Sequence, residues 1–293
     1  MESQTSHRLQ PRPSASQSIP VLCLRAGERL ALGQYSLAEA LYRMALSLGE
    51  EVHGCDSIEV AFVCNNLGVV CKYMANFEDA ERFYYRALHI IERILGPEHF
   101  EVASLYHNLG GLEHARGRFA AGEPLARRSV EIRQKLLGLD HVEVAADMAA
   151  LAALLDGQGK YDESEAFYHH ALVVFERAYG PGHYEIAVNL NNLAAVRHLR
   201  GDLEQAERFY RRALEIKEKL LGPEHPDLAL TLNNLAILCR TQGHYEESAE
   251  MYRRALSILE KAIGLQHPKV RTCRANLAQL LKVMSSPRPL ESE

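Results

Sequence analysis

The 293-residue chain has no run approaching the roughly 20 apolar residues that a membrane-spanning helix needs. Nor does it carry a large excess of one charge: 33 basic residues against 38 acidic ones give a formal net charge of −5. Without a strongly basic field, no nucleic-acid backbone is expected as the main partner. The first 18 residues are rich in Ser, Gln and Pro and have no apolar core, which excludes a secretory signal there. Cysteine is sparse. Cys23, Cys55, Cys64, Cys71, Cys239 and Cys273 include no C-x-x-C pair, and a chain of this length needs no covalent staples. They are expected to be reduced thiols of a cytoplasmic protein. Cys64 and Cys71, seven apart on one helical face, should be small buried apolar residues. Period-two runs of β-branched residues are missing, so strands are not expected. Also missing are G-x-x-x-x-G-K-[ST], G-x-G-x-x-G, H-E-x-x-H and G-x-S-x-G segments, which leaves no catalytic or cofactor motif. Gly157-Gln158-Gly159-Lys160 is a turn rather than a phosphate loop, because Gly117, Gly201 and Gly243 fill the Gly159 column elsewhere.

What the chain does have is a period. Gly54, Gly96, Gly138, Gly180, Gly222 and Gly264 are spaced 42 residues apart without an insertion. His99, His141, His183, His225 and His267 follow three residues after the last five of these glycines, and Ser57 takes the place in the first unit. Leu67, Leu109, Leu151, Leu193, Leu235 and Leu277 form a second column. Tyr42, Tyr84, Tyr168, Tyr210 and Tyr252 form a third, broken at Ala126. Fixed spacing over so many units means that each unit docks on its neighbour in one register.

Each unit reads as two helices. The segment from Leu190 to Leu199 has helical apolar spacing, Gly201-Asp202 interrupts it, and Glu204 opens a second amphipathic stretch through Leu220. Acid precedes base at i,i+4 in Glu207/Arg211 and Glu215/Lys219. Gly222 suits a left-handed residue ending that helix, and Pro226 suits the first position of the next.

The pattern carried by Leu193, Ala194, Ala206, Tyr210 and Ala213 resembles the tetratricopeptide repeat. The 42-residue unit and the phrases Leu221-Gly222-Pro223-Glu224-His225-Pro226 and Leu232-Asn233-Asn234-Leu235-Ala236 are similar to the kinesin-light-chain subclass. The resemblance implies an all-α fold, a right-handed superhelical α-solenoid of helix-turn-helix repeats. Six repeats and a capping helix should occupy residues 19–284. Residues 1–18 and 285–293 are expected to be disordered tails, and Lys269, Arg271, Arg274 and Lys282 should make the last helix a polar cap. A kinesin-light-chain-like cargo role is disfavoured, because no N-terminal heptad segment is present.

The resemblance also implies that the first helix of each unit lines a concave groove for an extended peptide. Asn65, His107, Ala149, Asn191 and Asn233 begin that face, and Lys72, His114, Asp156, His198 and Arg240 end it. An amide both donates and accepts, so asparagine there can bracket a peptide backbone whatever its side chains. Asn65, Lys72, His107, Asn191, His198, Asn233 and Arg240 are therefore the candidate groove residues. Ala146, Ala149 and Ala153 form a candidate apolar floor. The neighbouring column of Asn66, Asn108, Asn192, Asn234 and Asn276 is expected to bridge repeats instead. The turn histidines lie one per repeat, too dispersed to gather round one ion, and should cap helices or pack the turn. The expected function is that of a non-enzymatic adaptor, monomeric or weakly oligomeric, needing no metal or cofactor and binding a protein or peptide partner away from membranes. A peptide-sensing regulator whose superhelical pitch responds to binding is the alternative. An enzyme with an unrecognised site is the third reading.

Overall fold

The computed structural model describes residues 15–285 except 264 and 266. Among the described residues there are thirteen helices and no strands. They fall into two units, divided after Gly138. The first contains α1 (Ala15–Ala31), α2 (Tyr35–His53), α3 (Ile58–Tyr73), α4 (Phe77–Leu95), α5 (Phe100–Ala115) and α6 (Phe119–Leu137). The second contains α7 (Val142–Asp156), α8 (Tyr161–Tyr179), α9 (Tyr184–Leu199), α10 (Leu203–Leu221), α11 (Leu228–Thr241), α12 (Tyr245–Ile263) and α13 (Pro268–Ser285). Within each unit α1, α3, α5, α7, α9 and α11 each pack on the helix that follows, and α2, α4, α8, α10 and α12 each pack on the next helix in turn. This is an all-α helical-repeat solenoid.

Residues 15–18, assigned to the tail by composition, belong to α1, and Ser285 closes α13. Residues 1–14 and 286–293 lie outside the described residues, as does the period glycine Gly264.

The repeat boundary needs glycine for a definite reason. Gly222 has φ +85° and ψ 162°, a region that a Cβ forbids, and its N–H closes α10 on the Glu218 carbonyl at 2.9 Å. It is thus more extended than the ordinary left-handed cap. Asp202 starts α10, its carboxylate accepting from the Gln205 N–H at 3.2 Å. Pro226 does not begin α11. It lies in a preceding turn, where its carbonyl accepts from the Ala229 N–H at 3.1 Å, and the helix proper begins at Leu228.

The cores are built from large residues set against small ones. Tyr84, Tyr168, Tyr210 and Tyr252 are fully or almost fully buried. In the first unit, Tyr84 lies so close to Gly68 that an added Cβ would meet its ring at 2.5 Å. Where Ala126 interrupts the tyrosine column, the gap is closed by Gly110, whose missing Cβ would stand 3.3 Å from the Ala126 methyl. Cys64, Cys71, Cys239 and Cys273 are buried, and desolvation pushes each thiol up to about 11. They therefore stay protonated and behave as small apolar residues.

Candidate functional site

His99, His141, His183 and His267 cap the helices that follow them, whereas His225 serves the turn before α11, whose N-cap is Asp227. The Nδ1 atoms of His99, His141, His183, His225 and His267 each accept from the backbone N–H two residues on, at 3.1–3.3 Å. Ser57 does the same work through Oγ, accepting from Val60 N–H at 3.3 Å. Among the described residues no group of three or more His, Cys, Asp or Glu could hold a metal ion.

In the first unit the candidate residues meet across α3 and α5. Asn108 Nδ2 donates to Asn65 Oδ1 at 2.8 Å. Lys72 is half-buried, with Nζ 3.6 Å from the position a Gly111 Cβ would take and 5.9 Å from the Tyr73 ring centre. Burial lowers its pKa. His114 is held below the usual histidine range by burial and by the neighbouring Lys72 charge. His107 is half-buried on the same helix.

In the second unit Asn276 Nδ2 donates to Asn233 Oδ1 at 3.2 Å. In these two places the second asparagine of a repeat donates to the first asparagine of the repeat before it. Asn192 has Ala149, which carries no amide, at the equivalent position of the repeat before it. Asn191 is the exception among the first-column asparagines. It is 4% exposed, and its Oδ1 has no hydrogen-bond partner.

His198 Nε2 lies 3.4 Å from Thr241 Oγ1, and Arg240 donates to Gln279 Oε1 at 3.4 Å. Burial holds His198 below the usual range. Ala146 and Ala149 pack against the cluster that contains Phe175 and Ile186, and Ala153 is half-buried on α7.

A cavity of about 560 Å3 opens one repeat further along, lined by residues of α9, α10, α11, α12 and α13 and of the turn before α11. It brings Asn191 and Asn233 together with Val188, Leu230, Tyr184 and Lys217. Leu230 is 60% exposed, an apolar side chain facing an open mouth. Lys217 belongs to no sequence motif. Its 42-residue column holds buried Ile91, Phe175 and Leu259, and that substitution of charge for apolar bulk was the available signal.

The helix pairs, their caps and their 42-residue register define a helical-repeat scaffold. The tetratricopeptide-repeat profile matches residues 25–93, 63–121, 101–168, 151–219 and 185–261, and the chain belongs to this family. No curated protein sequence matches the chain. Among solved structures it is similar to BtubC (BKLC) from P. vanneervenii, at 19% identity over 96% of this chain and 97% of that one, with a TM-score of 0.56. It is also similar to a putative kinesin light chain with nearly identical TPR-like repeats from Podosopora anserina, at 20% identity, 68% and 95% coverage and a TM-score of 0.55. A third likeness is the STAND protein with a tetratricopeptide-repeat sensor, PH0952 from Pyrococcus horikoshii, at 15% identity, covering 93% of this chain and 40% of that one, with a TM-score of 0.66. The repeat is thus kinesin-light-chain-like in fold. Tetratricopeptide-repeat proteins are generally scaffolds for protein–protein contact and typically not enzymes. Among the described residues no helix is long and apolar enough to cross a membrane.

Proposed function

We propose that the protein is a non-catalytic adaptor that holds an extended peptide segment of a partner along the faces of α9, α11 and α13. The observation that carries this reading is the 560 Å3 cavity in which two equivalent asparagines, Asn191 and Asn233, stand beside an exposed leucine. An amide oxygen without a partner and an open apolar contact are what a passing backbone N–H and an apolar side chain require. The test is capture of partners on the full chain followed by peptide-array mapping of what is retained. Asn191→Ala should weaken the mapped peptide roughly threefold to tenfold with little loss of stability, since one net hydrogen bond is worth about 0.5–1.5 kcal/mol. Asn233→Ala should weaken binding and also lower stability, because Asn233 accepts from Asn276. Unchanged binding by both variants would sink the reading. The likeness to a repeat described as a sensor favours a regulatory variant of the same function, in which the occupied groove changes superhelical pitch. Small-angle scattering with and without the mapped peptide distinguishes it from a rigid adaptor.

A further inference from the structure

The first helix pair presents a face that later repeats of the chain bury. Val21 and Glu28 of α1 stand 42 residues before Val63 and Val70. Those valines are buried in a core shared with Ile19, Ala26 and Tyr42 of the repeat before. Leu105 and Leu112, their equivalents on α5, are buried as well. On α2, Met44 opens the column that continues with Arg86, Arg128, His170, Arg212 and Arg254. Three of these arginines reach back to a glutamate of the preceding even-numbered helix: Arg86 to Glu50 at 2.6 Å, Arg212 to Glu176 at 2.5 Å and Arg254 to Glu218 at 2.5 Å. The outer faces of α1 and α2 are thus the surface by which a repeat docks backwards, and among the described residues nothing stands on it.

This surface is not dressed for water. The end repeat of a solenoid ordinarily turns a polar face outwards. Here Val21, Leu24, Leu32, Leu37 and Met44 are between 52% and 67% exposed. Three of them replace polar residues of the next repeat: Leu24 stands in the column of Asn66, Leu37 in that of Asp79 and Met44 in that of Arg86. Contiguous apolar surface of this kind marks a contact with another molecule.

The charges on the same face say which one. Val21, Leu24, Arg25 and Glu28 lie at i, i+3, i+4 and i+7, hence on one side of α1, and Leu32 follows in the turn at its end. Arg25 and Glu28 are exposed, and neither has an ion-pair partner among the described residues. Such a helix is complementary to itself when two copies lie antiparallel. Arg25 then meets the Glu28 of the second copy, Glu28 meets its Arg25, and Val21 meets its Leu32. That reciprocity is what a two-fold axis requires of an interface. A preceding repeat of the ordinary kind would instead bring the glutamate of the Glu50 column, to which Met44 offers no cation.

We infer that two copies of the protein pair through the outer faces of α1 and α2, about a two-fold axis that sets the two α1 helices antiparallel. The apolar residues exclude water, and the reciprocal Arg25–Glu28 pairs fix the register. The surface is separate from the proposed peptide groove, and the inference does not rest on that reading.

Sedimentation equilibrium of the full chain over a range of concentrations is the test. The parent should reach twice the 32.9 kDa mass of one chain. Met44→Arg installs the residue that its column carries elsewhere, and should raise the dimer dissociation constant roughly tenfold or more with helicity unchanged by circular dichroism. Arg25→Glu and Glu28→Arg should each weaken the dimer roughly threefold by setting like charges opposite one another, and the double exchange should restore it. Restoration is expected only where identical faces meet. Leu281→Arg, on the exposed side of α13, should leave the dimer intact. A chain that stays monomeric at the highest attainable concentration would overturn the inference. So would a dimer indifferent to Met44→Arg, a dimer lost in Leu281→Arg, or a double exchange no tighter than the single ones.

Discussion

Gly68→Ala and Gly110→Ala are the same substitution, at equivalent positions of consecutive repeats, and should have opposite outcomes. Both glycines lie inside helices, so alanine gains about 1 kcal/mol of helix propensity at either place. At Gly68 the new methyl would stand 2.5 Å from Tyr84 Cε1, 2.6 Å from Cδ1 and 2.9 Å from Cζ, against a fully buried ring. Ordinary carbon contacts are about 3.5–4.0 Å, so ring or helix must give by about 1 Å. Overpacking of that kind costs about 1–3 kcal/mol, and the net effect should be a loss of about 1–2 kcal/mol. Ala194 with Tyr210 shows that an alanine–tyrosine pair can be accommodated when the helices are spaced for it. The α3–α4 pair is spaced for glycine. At Gly110 the nearest atoms are the Ala126 methyl at 3.3 Å and its N at 3.4 Å, tight but close to contact. There the propensity gain should roughly offset the strain, leaving a change between zero and about 1 kcal/mol of stabilisation. Urea unfolding followed by circular dichroism gives the ordering, and amide exchange in α3–α4 against α5–α6 places it. Equal shifts of one sign would refute the argument, because the Tyr84 ring would then not be the wall that makes Gly68 necessary.

Tyr84→Phe should be neutral or slightly stabilising, since the Tyr84 hydroxyl is buried without a partner, whereas Tyr168→Phe should cost about 0.5–1.5 kcal/mol by breaking the 2.9 Å bond to Asp156. Thermal melts of the two variants compare them directly. Ala75 has φ +58° in the turn where Gly117, Gly159, Gly201 and Gly243 stand in other repeats, so Ala75→Gly should be stabilising by up to about 1 kcal/mol in the same assay. Burial raises the Asp156 pKa above its ordinary value. A carboxyl raised in the folded state favours folding while protonated, and that contribution is lost as pH rises from the unfolded pKa, about 3.9, through the folded one. Asp156→Asn, which keeps an acceptor for Tyr168, should therefore gain on the parent at pH 7 and lose that advantage below about pH 4. A pH-independent difference in urea midpoint would contradict the assignment.

The fold could be read from the sequence because the constraints that set it are local and recur. A 42-residue period survives only if each unit meets its neighbour in one register, and Gly222, with φ and ψ that exclude a side chain, marks the boundary without ambiguity. The histidine column was interpretable for the same reason. Ser57 in one repeat identifies the role of the imidazoles that cap α5, α7 and α9, while His225 accepts from the Asp227 N–H in the turn before α11. The start of α11 was placed two residues early because proline satisfies the first helical position and also a preceding turn, and the choice is made by the Ala229 bond to its carbonyl.

The site was harder to read, for two physical reasons. Side-chain hydrogen bonds between repeats join residues 43 apart, a displacement of one from the period. Columns taken separately therefore divide Asn65 from Asn108, and Asn233 from Asn276, when each pair is one contact. Lys217 was concealed by its neighbours: between Glu215 and Lys219 it reads as another exposed charge of an amphipathic helix, and only comparison with Ile91, Phe175 and Leu259 places it on the inner side. The two points converge on one cavity. Asn108 and Asn276 each donate to an asparagine of the repeat before. Asn191 has an acceptor that no such donor meets, and Lys217 has a charge that no carboxylate meets. Buried polar groups are satisfied within a fold as a rule. The Lys217 ammonium, held by two neutral acceptors, and the Asn191 oxygen, which has no donor, line the same 560 Å3.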